Sequence, residues 1–67
     1  MKLYVLMEWK KSFNDHKFIG VYDGIKNLTT AAKIYREQFS SQAYLYFNEI
    51  NLNDKPNNII KQSELKL

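Results

Sequence analysis

Sixty-seven residues with no cysteine and a formal charge of +3 describe one small domain without disulfides or thiolate metal sites. The longest apolar runs are about five residues, against the roughly twenty that span a bilayer, so no membrane partner is expected. Met1-Lys2-Leu3-Tyr4 leads straight into a strand-like pattern with no small-residue cleavage site, and a cytoplasmic protein is expected.

The basic charge says little about a partner. Lys, Asn, Ile, Tyr and Phe supply 31 residues, whereas Ala, Gly, Pro and Arg supply 7. The first group uses AT-rich codons and the second GC-rich ones, which points to a low-GC bacterium or a phage infecting one. Nine lysines against one arginine also speak against base-specific DNA reading, which favours the arginine fork.

The first strand is expected from about Lys2 to Lys10, with Leu3, Val5, Met7 and Trp9 on one face and Tyr4, Leu6 and Glu8 on the other. Both faces are apolar enough to need cover. Asn14-Asp15 suits a turn within the segment from Lys11 to His16. A second strand follows from about Lys17 to Asp23, in which Gly20 signals a bulge or a close contact.

Asp23-Gly24 breaks that strand. A helix is expected to start near Asn27 to Thr30 and to run to about Phe39. Leu28, Ala31, Ala32, Tyr35 and Phe39 form its apolar stripe, with Ile34 at the margin and Lys33, Arg36 and Glu37 turned to solvent. A third strand is expected from about Ala43 to Leu52, with apolar residues on both faces in Ala43-Tyr44-Leu45-Tyr46-Phe47. Residues 53–67 open on Asn53-Asp54-Lys55-Pro56-Asn57-Asn58 and read as a polar tail, either mobile or forming a short helix capped by Asn58.

The expected fold is therefore α+β, a ββαβ domain over residues 1–52. Its three-stranded antiparallel sheet has the first strand central and one helix on one face, with a right-handed crossover. The helix stripe is expected to pack on Leu3, Val5 and Met7. The opposite face would then carry Tyr4, Leu6, Phe18, Tyr22, Tyr44 and Tyr46, with residues 53–67 as a rival cover.

Leu3 to Glu8, Phe18-Ile19-Gly20-Val21-Tyr22, the alanine-bearing helix and Tyr46 to Leu52 resemble a family of small bacterial and phage proteins of strand-strand-helix-strand order. The resemblance spans about residues 2–52. It implies the fold, and it brings neither an assigned activity nor functional residues to carry over.

No catalytic constellation stands out, and no cofactor is expected. His16 is the only histidine and reads as a solvated loop residue. Glu8, Asp23 and Glu49 read as surface charges or lysine partners. One histidine without cysteine does not make a usual zinc site. Gly20 and Gly24 stand apart, outside a phosphate-loop context.

The aromatic residues are the richest material. Two function classes follow from them. The first is a non-enzymatic protein-binding module, a phage-encoded inhibitor or modulator of a host protein, in which Tyr4, Leu6, Phe18, Tyr22, Tyr44 and Tyr46 form a homodimer or partner interface. The second is binding of single-stranded nucleic acid or a signalling nucleotide by Trp9, Lys10, Lys11 and Lys17, with bases stacked on rings and ammonium groups on phosphates.

Overall fold

The computed structural model describes residues 2–10, 14–39, 43–51 and 59–65. The chain order is β1 (Lys2–Lys10), β2 (Asp15–Tyr22), α1 (Ile25–Gln38), β3 (Tyr44–Asn51) and β4 (Ile59–Glu64). The strands form one antiparallel sheet in the order β2-β1-β3-β4, with α1 on one face. The class is α+β and β1 is an inner strand, as expected.

The sheet has four strands, not three. Ile59–Glu64 pairs antiparallel with β3, where the sequence suggested a mobile tail or short helix. The Leu65 backbone N–H donates to the Leu45 carbonyl at 2.9 Å, and the Leu65 side chain enters the core. The residues from Leu52 to Asn58, including the proposed Asn58 cap, lie outside the described residues.

The registers fix which side chains share a face. Tyr4, Leu6 and Glu8 of β1 lie opposite Glu49, Phe47 and Leu45 of β3, so these six share one face. That face holds the core: Leu6, Leu28, Ala32, Ala43, Leu45 and Leu65 are buried together. The helix therefore covers the Tyr4-Leu6-Glu8 face. Leu3, Val5 and Met7, expected beneath the helix, occupy the other face.

Two local features in β2 support this arrangement. The register with β1 shifts between Leu6 and Met7, where Gly20 and Phe18 are successive partners and Ile19 is the extra residue of a bulge. Gly20 then lies directly under the Tyr22 ring. A Cβ there would sit 2.7 Å from the Tyr22 hydroxyl oxygen, so the close approach depends on glycine. Upstream, Asn14 turns the chain into β2 with φ 48°, a left-handed conformation that asparagine tolerates.

The helix starts earlier than its polar residues suggested. Gly24 is the N-cap, and its carbonyl accepts from the Leu28 N–H at 3.0 Å. Thr29 and Thr30, within the expected start of the helix, lie inside its first turns, where their hydroxyls donate to the Ile25 and Lys26 carbonyls. Leu28 and Ala32 are fully buried, and Ala31 and Tyr35 pack beside them. Phe39, expected in the stripe, is 72% exposed and leans on the Tyr35 ring at 5.4 Å.

Glu8 faces the helix and is only 5% exposed. The Tyr35 hydroxyl donates to its Oε1 at 2.5 Å. This hydrogen bond, together with burial and the Glu8 charge, pushes the Tyr35 phenol up to about 12 from its ordinary 10.0. Lys17, the β2 partner of Glu8, holds its Nζ 6.0 Å from the Tyr35 ring centroid.

Ala32→Asp should prevent folding, because a carboxylate there would be buried without a partner at a cost near the whole stability of a small domain. Leu65→Ala should cost about 2–5 kcal/mol in denaturant unfolding, the range for a buried leucine, whereas a loose tail would give almost none. Tyr35→Phe should cost about 1.5–3 kcal/mol at neutral pH by removing the donor to Glu8. The same variant should flatten the alkaline limb of the stability curve. Below pH 10 the phenol keeps its proton in both folded and unfolded chains, and its contribution is complete. Between about pH 10 and 12 the unfolded chain alone gives up the proton, so Tyr35-linked stability is lost as pH rises.

Candidate functional site

The face away from the helix is built from alternate residues of all four strands. Leu3, Val5, Met7 and Trp9 supply its β1 row, opposite Ile50, Asn48, Tyr46 and Tyr44 of β3. From β2 come His16, Phe18 and Val21, and from β4 come Gln62 and Glu64. Phe18 is 58% exposed, and Val21 and Tyr44 are also exposed. Among the described residues no element lies over this face.

One end of it is organised around Trp9. Its ring meets Tyr44 nearly edge-on, with centroids 5.4 Å apart at 83°, and lies near-parallel to His16 at 6.4 Å and 18°. His16 in turn meets Tyr46 edge-on at 5.8 Å and 87°. The His16 Nδ1 and the Tyr46 hydroxyl oxygen are 2.8 Å apart and share a hydrogen bond. The Trp9 Nε1–H donates to Asn14 Oδ1 at 3.3 Å, which ties the ring to the β1–β2 turn. Behind Tyr44, its hydroxyl donates to Glu64 Oε1 at 3.0 Å.

Trp9, His16, Tyr44, Tyr46, Gln62 and Glu64 line a recess of about 320 Å³, at the lower end of volumes that hold small ligands. The hydrogen bond to Glu64, then burial and the Glu64 charge, raise the Tyr44 phenol above its ordinary range, and burial raises that of Tyr46. Both phenols therefore keep their protons near pH 7. Tyr46 is the best-anchored ring, only 7% exposed.

The expected interface residues divide between the two faces. Phe18, Tyr44 and Tyr46 are on the open face. Tyr4, Leu6 and Tyr22 are on the helix side, where Leu6 is fully buried and Tyr4 meets Phe47 edge-on at 5.9 Å. The inversion arises because both faces of β1 are apolar, so hydrophobic pattern alone does not choose between them.

The aromatic-lysine grouping divides too. Trp9 is on the open face, whereas Lys17 lies beside Tyr35 on the helix side and Lys10 follows the Tyr4-Leu6-Glu8 row. Lys11 lies outside the described residues. Lys2 also belongs to the helix-side row, 3.7 Å from Glu49.

His16 is in strand β2, not in a loop, and it is part of the ring array. Gln62 and Glu64 were missed because their strand was read as a tail. The signal for it was present in the β-branched pair Ile59-Ile60 followed by Leu65 six residues on.

Asp23, taken as a surface charge, is exposed and accepts from the Asn27 side-chain amide at 3.1 Å. Among the described residues no three histidine or acidic side chains stand close enough to hold a metal ion, and no helix is long and apolar enough to cross a membrane.

Comparisons with protein-family models, with curated proteins and with solved structures found no match for this chain.

Proposed function

We propose that the protein is a non-enzymatic binding module whose working surface is the open sheet face, and that it forms a homodimer through the same face. The observation that carries the reading is the asymmetry of cover. One helix of fourteen residues, about 21 Å long, shields the Leu6 face, and no described element covers the Val5 face. Contiguous apolar residues of that kind mark interaction sites on small proteins.

The expected rival, residues 53–67 folded across this face, is weakened by the course of β4. That strand extends the sheet at its edge, and Leu65 turns to the helix side. A two-fold contact through Leu3, Val5, Phe18 and Val21 buries the same patch on two chains at once. The partner being a host protein and the chain a phage-encoded inhibitor rest on small size, AT-rich composition and the resemblance over about residues 2–52. The nucleic-acid reading draws less support, because Lys10 and Lys17 are on the other side of the sheet from Trp9.

Light scattering at high micromolar concentration should give twice the chain mass. Phe18→Glu should return the mass to that of one chain while changing stability by about 0.5 kcal/mol or less, as expected for an exposed position. A single-chain mass for the unaltered protein, or a dimer indifferent to both Phe18→Glu and Val5→Glu, would remove self-association through this face.

A further inference from the structure

The recess at the Trp9 end has a chemistry distinct from the apolar end of the same face. Three aromatic residues and a histidine ring surround it, and aromatic faces carry negative potential. Among the described residues its lining carries one acidic side chain, Glu64, and neither lysine nor arginine. The chain as a whole is basic, yet the described lysines nearest this end, Lys10 and Lys17, belong to the helix side. Among the described residues, the one carboxylate at the recess thus stands without a basic side chain beside it, on a chain that is net positive.

We infer that the recess receives the guanidinium group of an arginine side chain carried by a partner protein other than a second copy of this chain, whose one arginine, Arg36, is tied to the Ala43 carbonyl on the helix side. The inference rests on the binding-module reading and names the chemistry of its partner. Each part of the site has a counterpart in that group. Glu64 Oε1 accepts from Tyr44, while Oε2 has no partner among the described residues and is left to accept from an N–H. The Gln62 side-chain oxygen adds a second acceptor at the β4 edge.

Trp9, with His16 near-parallel beside it and Tyr44 edge-on, gives the recess an aromatic border that attracts a cation, and the planar guanidinium fork reaches both acceptors at once. An anion would meet the Glu64 carboxylate. A quaternary ammonium would leave both acceptors unused, and a lysine ammonium is a point charge without the planar fork that spans them.

The chain has one tryptophan, and it lines the recess, so its emission reports occupancy directly. The probes are the capped tripeptide Gly-Arg-Gly, its citrulline counterpart of the same shape without charge, the lysine counterpart, and tetramethylammonium. Titration of the full chain with the arginine peptide should give a saturable change in Trp9 emission. Two-dimensional NMR should place the accompanying shifts at His16, Tyr44, Tyr46 and Glu64.

The citrulline peptide should bind about tenfold more weakly or not at all, having lost both the ring attraction and the ion pair. Glu64→Gln should weaken the arginine peptide about fivefold with unchanged far-ultraviolet dichroism, as the loss of a partly exposed ion pair requires.

Equal binding of the citrulline peptide overturns the charge assignment. Tighter binding of tetramethylammonium or the lysine peptide overturns the arginine assignment. Absence of saturation, or indifference to Glu64→Gln, overturns the site. Failure of the broader reading is separable: it appears as a single-chain mass in light scattering while the arginine peptide still saturates the Trp9 signal.

Discussion

Leu6 sits between β1 and the helix with no exposure to solvent, touching the layer made by Leu28, Ala32, Ala43, Leu45 and Leu65. Everything else about the two sides of the sheet follows from that packing. Side chains alternate along a strand, so fixing Leu6 inward fixes Tyr4 and Glu8 beside it and turns Leu3, Val5, Met7 and Trp9 outward. Ala31 and Ala32 let the helix come close to this face. Among the described residues the one helix leaves the other side of the sheet without a covering layer.

The helix-side core includes a carboxylate at a position that a wholly apolar layer would fill with leucine. Glu8 is tolerated there because the Tyr35 hydroxyl donates to it and Lys17 stands across the adjacent strand pair. The Arg36 Nη2 donates to the Ala43 carbonyl at 2.8 Å, which ties the helix to the start of β3. These polar links join α1 to β1 and β3 at defined points, so the helix sits in one register over the sheet. The aromatic array on the open face has a matching internal order, with Tyr46 bound to His16 and Tyr44 bound to Glu64. Its rings are held in place before any partner arrives, which lowers the ordering cost of binding.

Much of the topology was legible from local patterns. The inner position of β1 followed from its two apolar faces, the bulge from Gly20, and the helix from the spacing of Leu28, Ala31, Ala32 and Tyr35. The choice of face was not legible. Leu3-Val5-Met7 looks the more apolar row, and Glu8 marks the other as polar; only the tertiary contact with Tyr35 reverses that impression. Ile59–Glu64 was hidden by the Asn53-Asp54-Lys55-Pro56-Asn57-Asn58 segment before it, a pattern that signals a break equally well before a tail or between two paired strands. His16 was misplaced because β2 begins at Asp15, directly after the Asn14 turn, so a residue read as loop pairs with Trp9. The recess was beyond reach of sequence for the same reasons, since it needs β4, the start of β2 and the outward row of β1 together.

The uncovered Val5 face is the feature on which the functional reading stands. Side-chain NMR relaxation by a soluble gadolinium chelate, followed as the protein is diluted, probes it without altering a residue. The Val5 and Met7 methyl groups should become strongly relaxed on dilution, while Leu6, Leu28 and Leu45 stay protected at every concentration. Val5 and Met7 protected at the lowest concentration, or Leu6 relaxed alongside them, would contradict the assignment of the open face.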